Sequence, residues 1–384
     1  MRLALVVAIA AASLSSMTAS GQTPSPPPTP RQVLAQYAKI VHASYADTLT
    51  AARALQSSIR GFLAMPSAVD LDDARKAWLF AREVYGQTEA YRFYGGPIDS
   101  ADGPEGRINA WPLDEAYIDA VQGRPDAGMV NDVRVRLDAK TLAALNEKAG
   151  EENISTGWHA IEFLLWGQDL AVDGPGARPW TDFADGSAPR ADRRRRYLSI
   201  VTAMLVDDLA TLDRAWAPNA NNYRTRFEKD PANLRKVLTG IGVLTRGELA
   251  GERIEVALDS QSQEDEHSCF SDNTHRDIVA NALGIRNVWR GQYQRVDGSV
   301  IEGPGLRDLV MARDPALAAR ADADIDASLA AAQAIPAPFD QSIRAGASGR
   351  ASVEATVEAL KRQAVSLVGV ATALGVRRLD TALP

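Results

Sequence analysis

Long stretches of the chain carry apolar residues at steps of three and four, which is the spacing of one face of an α-helix. Residues 31–63 follow this pattern with no internal glycine or proline until Gly61. Residues 70–93 begin with acidic side chains, which favour the start of a helix. Near the other end, apolar positions step by three or four from Val353 to Leu374. These patterns predict amphipathic helices of several turns each.

The helical pattern is interrupted most clearly at residues 169–197, where glycine, proline and aspartate are dense, and this predicts a long loop. A second helical block follows and is broken by glycine and proline at 303–306 and at 335–339. We find no series of alternating strands separated by hairpin turns. The chain is therefore predicted to be all-α, with two helical-bundle domains packed side by side, at residues 31–190 and 191–384.

The N-terminal 21 residues have the features of a secretory signal peptide. Arg2 supplies the positive start, residues 3–12 an apolar run, and residues 19–21 a small-residue cleavage region. Residues 22–30 are rich in proline and predict an extended tether. No cysteine lies near the cleavage region, and no later stretch reaches the ~20 apolar residues of a membrane-spanning helix. We expect an exported, soluble, periplasmic protein with no lipid anchor and no transmembrane segment after signal removal.

The charge of the chain limits its partners. The formal net charge is −7, which argues against a general nucleic-acid binder. Four consecutive arginines at residues 193–196 could form a polyanion site, but Asp185 and Asp192 lie nearby. We therefore favour a solvated start of a helix for this stretch. The only cysteine is Cys269, so no intramolecular disulfide can form.

Residues 155–169, STGWHAIEFLLWGQD, are mostly apolar, yet they include His159 and Glu162. If Ser155 or Thr156 caps a helix here, these two side chains lie on one face of a helix that is apolar nearly all round and therefore buried. A buried glutamate must be paired, protonated or bound to a cation. A nitrogen and an oxygen donor suit iron, zinc or manganese. The spacing also fits a structural pair in which Glu162 accepts hydrogen bonds from His159 and an arginine.

A second cluster of potential metal donors lies in residues 260–278. It contains two of the four histidines and the only cysteine. The segment fits either a second part of a binding site or a solvated acidic loop in which Asp272 or Thr274 caps the next helix. The donors in this segment are Glu264, Asp265, Glu266, His267, Cys269, Asp272, His275 and Asp277.

Polar side chains also share one face of the helix predicted at residues 70–93. They are Arg82, Tyr85, Glu89 and Arg92. They could complete a polar site between helices, but a row of surface salt bridges is the preferred interpretation. Nothing in the chain matches a nucleophile elbow, a P-loop or a dinucleotide-binding fingerprint.

At Gly157, His159 and Glu162 the chain resembles the imelysin-like family of exported bacterial proteins, also called insulin-cleaving metalloproteinases, whose GxHxxE signature these residues reproduce. Residues 263–278 look like the second conserved segment of that family, and residues 78–93 and 109–119 fit it as well. The resemblance covers about residues 31–381. It implies an all-helical fold of two bundle-like halves, with the signature near the groove between them.

The resemblance also implies a role and a set of site residues. Relatives are tied to iron-regulated uptake, and the match to the family motif implies that His159 and Glu162 are the metal ligands. The resemblance places Glu266, His267 and Asp272 along the site from the other half of the molecule. Together with the polar helix face, the predicted lining residues are Arg82, Glu89, Glu266, His267, Asp272 and His275.

The sequence therefore predicts an iron-uptake protein that binds a divalent or ferric metal ion, iron before zinc, or a metal-bearing ligand, in a groove between two helical domains. Its partners would be other iron-uptake components of the cell envelope. One alternative is a metal-dependent peptidase in which Glu89 or Glu266 acts as the general base. Another is a non-catalytic module that binds a polymer or a protein, with the His159–Glu162 pair only structural.

Overall fold

The structure of the protein, a computed structural model, describes residues 26–383. The predicted signal peptide and the first part of the tether lie outside the described residues. In the described part, the fold is all-helical, as predicted. No helix within residues 26–383 is long and apolar enough to cross a membrane. The α-helices are α1 (Pro30–Ala64), α2 (Ala68–Gly86), α3 (Glu105–Ile108), α4 (Glu115–Ile118), α5 (Gly128–Asn131), α6 (Ala139–Leu145), α7 (Gly157–Trp166), α8 (Ala191–Trp216), α9 (Tyr223–Phe227), α10 (Leu234–Val243), α11 (Val256–Ser260), α12 (Thr274–Arg290), α13 (Leu306–Met311), α14 (Pro315–Gln333), α15 (Phe339–Ile343) and α16 (Arg350–Ala373).

The three long helices predicted from apolar spacing are present. Helix α1 starts with a capping box, in which Thr29 accepts a hydrogen bond from the backbone of Gln32 and the Gln32 side chain reciprocates. It runs through Gly61 because nothing crowds this position and a single glycine only weakens a helix. Helix α16 covers the predicted C-terminal pattern. Helix α2 ends at Gly86 and is followed by a 3₁₀ turn, Gln87–Tyr91.

Helices α2 and α12 cross in close contact, and this crossing positions the candidate site. A Cβ atom at Gly86 would lie 2.7 Å from the Cβ of Ala280, and one at Gly284 would lie 2.3 Å from the carbonyl oxygen of Gln87. Only glycine permits the two backbones to approach this closely. As a result, side chains from α2 and α12 that are far apart in sequence meet in the interior.

The helices pack around a continuous apolar core. Helix α1 packs against α2 and α8, α14 packs against α16, and α12 contacts both α2 and α14. Helix α8 also packs against α7. The predicted division at residue 190 stays a prediction, although α8, which lies just after it, packs against helices that precede it.

Several local features differ from the predictions. A two-stranded antiparallel hairpin, β1 (Gln292–Gln294) and β2 (Val300–Glu302), was not expected, because three-residue strands are too short for their alternation to be recognised. Residues 244–255 form a π-helical segment, Leu244–Glu255, between α10 and α11. The remaining 3₁₀ turns are Trp180–Phe183, Pro231–Asn233 and Gln263–Asp265.

The loop predicted at residues 169–197 is present up to α8, and a helix starts at its arginines as predicted, but they are only partly solvated: Arg194 is buried, whereas Arg196 is exposed. Arg193 donates hydrogen bonds to the carbonyl oxygens of Met129, Val130, Asp132 and Val135. Because α5 ends among these carbonyls, Arg193 supplies donors at a helix end, where carbonyl groups lack partners within the helix. Its neighbour Arg194 is buried and pairs with Asp119 at 2.6 Å. The arginines therefore hold the loops against α8.

Candidate functional site

Helix α7 carries the GxHxxE residues and is buried along its whole length, as its apolar pattern predicted. Gly157 has φ +85°, and a Cβ atom there would lie 2.4 Å from the carbonyl oxygen of Ile108. The first position of the motif therefore admits only glycine. Thr156 precedes the helix but makes no side-chain cap; its hydroxyl donates instead to the carbonyl oxygen of Arg107 at 3.1 Å.

His159 and Glu162 form a hydrogen-bonded pair inside the protein. The distance from His159 Nδ1 to Glu162 Oε2 is 2.9 Å. The other oxygen, Oε1, accepts hydrogen bonds from the backbone N–H of Ser271 at 3.0 Å and from its hydroxyl at 2.6 Å. Burial raises the pKa of Glu162 to about 8, although the Ser271 hydroxyl lowers it in part. Both oxygens of Glu162 are thus engaged, and Nε2 is the ring nitrogen of His159 that remains.

The guanidinium of Arg82, from α2, lies at the centre of the site. Its Nη2 is 3.5 Å from His159 Nε2, 3.1 Å from His267 Nδ1 and 3.2 Å from Asp277 Oδ2. Its Nε donates to Asp277 Oδ1 at 3.0 Å, and its Nη1 donates to the amide oxygen of Asn109. Within residues 26–383, no three His, Cys, Asp or Glu side chains are arranged to hold a metal ion. At this site, a guanidinium fills the space between the donors.

Burial and the arginine charge set the protonation of the site. Burial, together with the charges of Arg253 and Arg82, lowers the pKa of His267 to about 4. Burial and Arg82 also lower the pKa of His159 well below its usual value. Burial alone would raise the pKa of Asp277, but Arg82 and His267 hold it well below its usual range. Two neutral imidazoles, whose ring centroids are 4.9 Å apart, therefore face one carboxylate and one guanidinium.

A second buried ion-pair network lies next to this cluster. Glu89 Oε1 accepts a hydrogen bond from Asn109 at 3.3 Å, and Oε2 accepts from Arg92 at 2.6 Å and from Arg253 at 2.7 Å. Burial opposes the ionisation of Glu89, but the two arginines hold its pKa well below the usual value. Arg253 comes from the π-helical segment and also binds Glu248 at 2.8 Å. π-Helical turns often occur at functional sites.

The preferred interpretation of the polar face predicted at residues 70–93 as a row of surface salt bridges is wrong. Arg82 and Glu89 are each 1% exposed, and Arg92 is nearly buried. Helix α12 packs against α2 and against the 3₁₀ turn, and Arg253 and Glu248 of the π-helical segment pair with Glu89 and Arg92. These side chains are buried because other parts of the chain pack over them. The spacing of residues along one helix does not reveal such packing.

The segment before α12 is also buried rather than solvated. Residues 266–271 are all buried, so the acidic-loop interpretation is wrong for this part. Neither Asp272 nor Thr274 caps α12: the residue before the helix is Asn273, which makes no side-chain cap, and Thr274 Oγ1 accepts from the backbone of Ser268 at 3.0 Å. Asp272 lies one residue before this position and has a left-handed backbone conformation, with φ +56°.

The predicted site residues thus fall into two groups. Four of them meet directly, namely Arg82, His159, Glu162 and His267. Glu89 is connected to Arg82 through Asn109. Three predicted residues make no hydrogen bond to this cluster, namely Glu266, Asp272 and His275. His275 is half-buried, and its Nδ1 lies 3.1 Å from the carbonyl oxygen of Asp272.

Sequence reasoning did not assign three partners of the cluster to the site, although it named Asp277 as a potential donor. Asp277 is among the donors of residues 260–278. It lies ten residues after His267, and this spacing gave no reason to pair the two side chains. Ser271 is an ordinary serine in a polar stretch, and Asn109 lies in a segment without clear periodicity. The family resemblance of residues 263–278 and 109–119 was the only signal that could have included them.

Comparison with known proteins supports a family assignment. The family model described as Peptidase M75, imelysin, matches residues 41–367. Iron-regulated protein A of Synechococcus elongatus is 27% identical over 348 residues, which cover 86% of this chain and 84% of that protein.

Two solved structures have a similar fold. A protein from Parabacteroides distasonis, described as an iron-regulated protein A precursor, superposes with a TM-score of 0.71 at 20% identity, covering 91% of this chain and 97% of its own. An imelysin-like protein from Psychrobacter arcticum gives a TM-score of 0.65 at 14% identity, covering 91% of this chain and 98% of its own. At these identities the similarity supports the fold alone.

Proposed function

Because the chain belongs to the imelysin family, we propose that it is an exported protein of iron acquisition that binds a metal ion at the Arg82 cluster. The observation that carries this proposal is that His159 Nε2, His267 and Asp277 all face one nitrogen of Arg82. Two imidazoles and a carboxylate are a donor set that suits iron or zinc. The guanidinium is the cation that balances Asp277 while no metal is bound.

In this proposal Glu162 has an indirect role. Its oxygens are engaged by His159 Nδ1 and by Ser271, so it orients the imidazole and leaves Nε2 for the metal. A carboxylate that holds the second nitrogen of a histidine ligand is a common outer partner in metal sites. Metal binding then requires the Arg82 side chain to withdraw from the cluster, since the two cations compete for the same donors.

The biological setting is supported by two features. The N-terminal sequence predicts a signal peptide and therefore export. The relatives from Synechococcus elongatus and Parabacteroides distasonis carry the name iron-regulated protein A. We therefore place the chain in iron uptake, in the periplasm, with other envelope components as partners and iron as the favoured metal.

The geometry gives less support to a metal-dependent peptidase. A general base must be free to accept a proton. Glu89 accepts hydrogen bonds from two arginines and an asparagine, and its pKa is held low, which makes it a poor base. Glu266 makes no hydrogen bond to the cluster. Neither of the two predicted general bases, Glu89 and Glu266, is therefore suited to activating a water molecule beside His159.

The proposal is tested by calorimetric titration of the purified protein with Fe²⁺ under anaerobic conditions, and with Zn²⁺. The wild type is expected to bind one ion at the cluster. Replacing His159 and Glu162 by alanine should weaken binding by about 100-fold, because one ligand and the carboxyl group that orients it are both lost. Arg82→Gln should strengthen binding by about tenfold, because the competing cation is removed.

A matched control is available elsewhere in the fold. His42 and Asp213 form another histidine–carboxylate pair, at 3.4 Å, and the double variant His42→Ala/Asp213→Ala should bind metal like the wild type. Circular dichroism of each variant verifies folding. Equal metal affinity in the wild type and in the His159→Ala/Glu162→Ala protein would show that the cluster is a structural polar network.

A further inference from the structure

A surface cavity of about 640 Å³ lies where four segments of the chain meet, and it shares no residue with the Arg82 cluster. The segments are the start of α1, the start of α10 with the 3₁₀ turn before it, the turn between α13 and α14, and the residues that follow α16. The charged side chains of the lining are all arginines, and none is acidic. We call them the arginine group: Arg235, Arg313, Arg377 and Arg378.

The backbone that carries two of these arginines leaves α16 in a defined turn. Gly375 has φ +85°, and its N–H donates to the carbonyl oxygen of Thr372 at 3.0 Å. The N–H of Val376 donates to the carbonyl oxygen of Ala371 at 2.8 Å. These two bonds form a Schellman motif, which satisfies the last carbonyl groups of a helix. The end of α16 therefore fixes the direction in which the chain enters the cavity wall.

The residues on both sides of these two arginines are anchored. Val376 and Leu379 pack against the hydrophobic core. A Cβ atom at Gly242 of α10 would lie 3.2 Å from Leu379 Cδ2, so the chain lies directly on α10 here. Arg377 and Arg378 thus belong to a segment that is held at both ends. A ligand would not have to order a free chain, which lowers the entropic cost of binding.

The arginine group has little negative charge to balance it. Arg378 pairs with Asp380 at 3.4 Å, but both side chains are exposed, so this pair is weak. The other three members form no ion pair with a carboxylate among residues 26–383. Arg313 instead donates from Nη1 to the carbonyl oxygen of Ala373, at 2.8 Å, which holds its guanidinium beside the end of α16. The cavity is therefore a site of positive charge in a chain whose net charge is −7.

We propose that the arginine group binds the phosphate groups of an anionic ligand, which is either a free phosphorylated compound or the headgroup of a phospholipid. The guanidinium of arginine presents a planar fork of donors that matches pairs of phosphate oxygens. The cavity volume lies within the ~300–1,000 Å³ of small-molecule sites. The N-terminal segment that precedes Pro30 at the cavity does not supply the anion, because residues 1–30 contain no Asp or Glu.

The proposal is tested by calorimetric titration of the purified, metal-free protein with sodium pyrophosphate at low ionic strength. The wild type should bind pyrophosphate. Arg235→Ala/Arg377→Ala should weaken binding by about tenfold or more, because two of the four guanidinium groups are lost. Both side chains are exposed, so this variant should fold normally, and circular dichroism verifies that it does.

Two controls separate this cavity from general charge effects and from the Arg82 cluster. Arg53→Ala/Arg60→Ala removes the same charge from exposed positions of α1 that do not line the cavity, and it should bind pyrophosphate like the wild type. The His159→Ala/Glu162→Ala protein should also retain its pyrophosphate affinity. A failure of the proposed metal site would therefore leave this result unchanged.

Vesicle sedimentation distinguishes the two sources of phosphate. The vesicles contain phosphatidylglycerol with phosphatidylcholine, or phosphatidylcholine alone. If the anionic vesicles retain the wild type but not Arg235→Ala/Arg377→Ala, the ligand is a phospholipid headgroup. Pyrophosphate binding without retention on vesicles identifies a free phosphorylated compound. The proposal is overturned if the wild type binds neither probe, or if the double variant binds them as well as the wild type.

Discussion

At the scale of single residues, the unusual feature is a buried arginine surrounded by two histidines, an aspartate and an asparagine. Arg82 is satisfied by Asp277 through two hydrogen bonds and by Asn109 through a third. A buried ion pair adds little net stability, but removing one partner leaves the other charge uncompensated. The burial of Arg82 therefore depends on Asp277 more than on any other of these partners.

Asp277→Asn should destabilise the protein by about 3–5 kcal/mol, because Arg82 remains buried without its carboxylate. The matched control is Asp185→Asn, since Asp185 is 83% exposed and pairs with Arg195 on the surface. That variant should change stability by less than about 0.5 kcal/mol. Urea denaturation measures both values. Similar losses in the two variants would contradict the buried pairing.

The pKa values predict how stability changes with pH. The folded-state pKa of His267 is about 4, below the ~6.5 of an unfolded histidine. Between these values the unfolded chain binds a proton that the folded protein does not, so the contribution of His267 is present above pH ~6.5 and lost as pH falls towards 4. Lowering the pH from 7 to 5 should therefore reduce the stability gap between wild type and His267→Gln by about 1–2 kcal/mol.

Glu162 should show the opposite trend. Its folded-state pKa is about 8, above the unfolded value, so the folded protein holds the extra proton and stability decreases as pH rises towards 8. The stability gap between wild type and Glu162→Gln should therefore widen as pH is lowered from 8 to 5. Denaturation series at several pH values measure both gaps. A change of the same sign for both variants would contradict the assigned proton positions.

At the scale of elements, glycines decide how the site is built. Gly157 lets α7 start directly under the backbone of residues 107–108, and Gly86 and Gly284 let α2 and α12 cross closely. Helix α7 then presents His159, α2 presents Arg82 and α12 presents Asp277 to the same small volume. The motif glycine is thus a structural requirement of the fold.

Gly157→Ala should destabilise the protein by about 3 kcal/mol or more, because the new Cβ atom would overlap a backbone carbonyl at a positive φ. Gly61→Ala is the matched control. Nothing lies within 4 Å of a Cβ atom at Gly61, and the residue is in the interior of α1, so alanine should stabilise by about 0.5–1 kcal/mol. Thermal denaturation of both variants provides the measurement, and a mild effect of Gly157→Ala would contradict the described contact.

The sequence predicted the elements well where long patterns repeat. The apolar spacing of residues 31–63 and of residues 353–374 gave α1 and α16 directly. The short hairpin and the π-helical segment could not be predicted, because three-residue strands and a change in helical pitch leave no periodic signal.

Within the site, His159 and Glu162 were found because they are three residues apart on one helix. The Arg82–Asp277 pair spans 195 positions, so only the fold brings it together.

At the scale of the whole molecule, the cluster joins segments from distant parts of the chain. Helices α2 and α7 contribute from the first half of the sequence, while His267, the π-helical segment and α12 contribute from the second. The residues at the centre are buried, so a metal ion can reach them only if these segments separate slightly. The competition between Arg82 and a metal would then couple metal binding to a movement between the segments.

The central claim, that Arg82 holds the place of a metal ion, is tested most directly by crystallography of the purified protein soaked with Fe²⁺, with diffraction data collected at the iron absorption edge. We predict an anomalous peak within about 2.5 Å of His159 Nε2. Arg82 should have moved away from its position 3.5 Å from that nitrogen. A map without a peak at His159, with Arg82 still bound to Asp277, would contradict the claim.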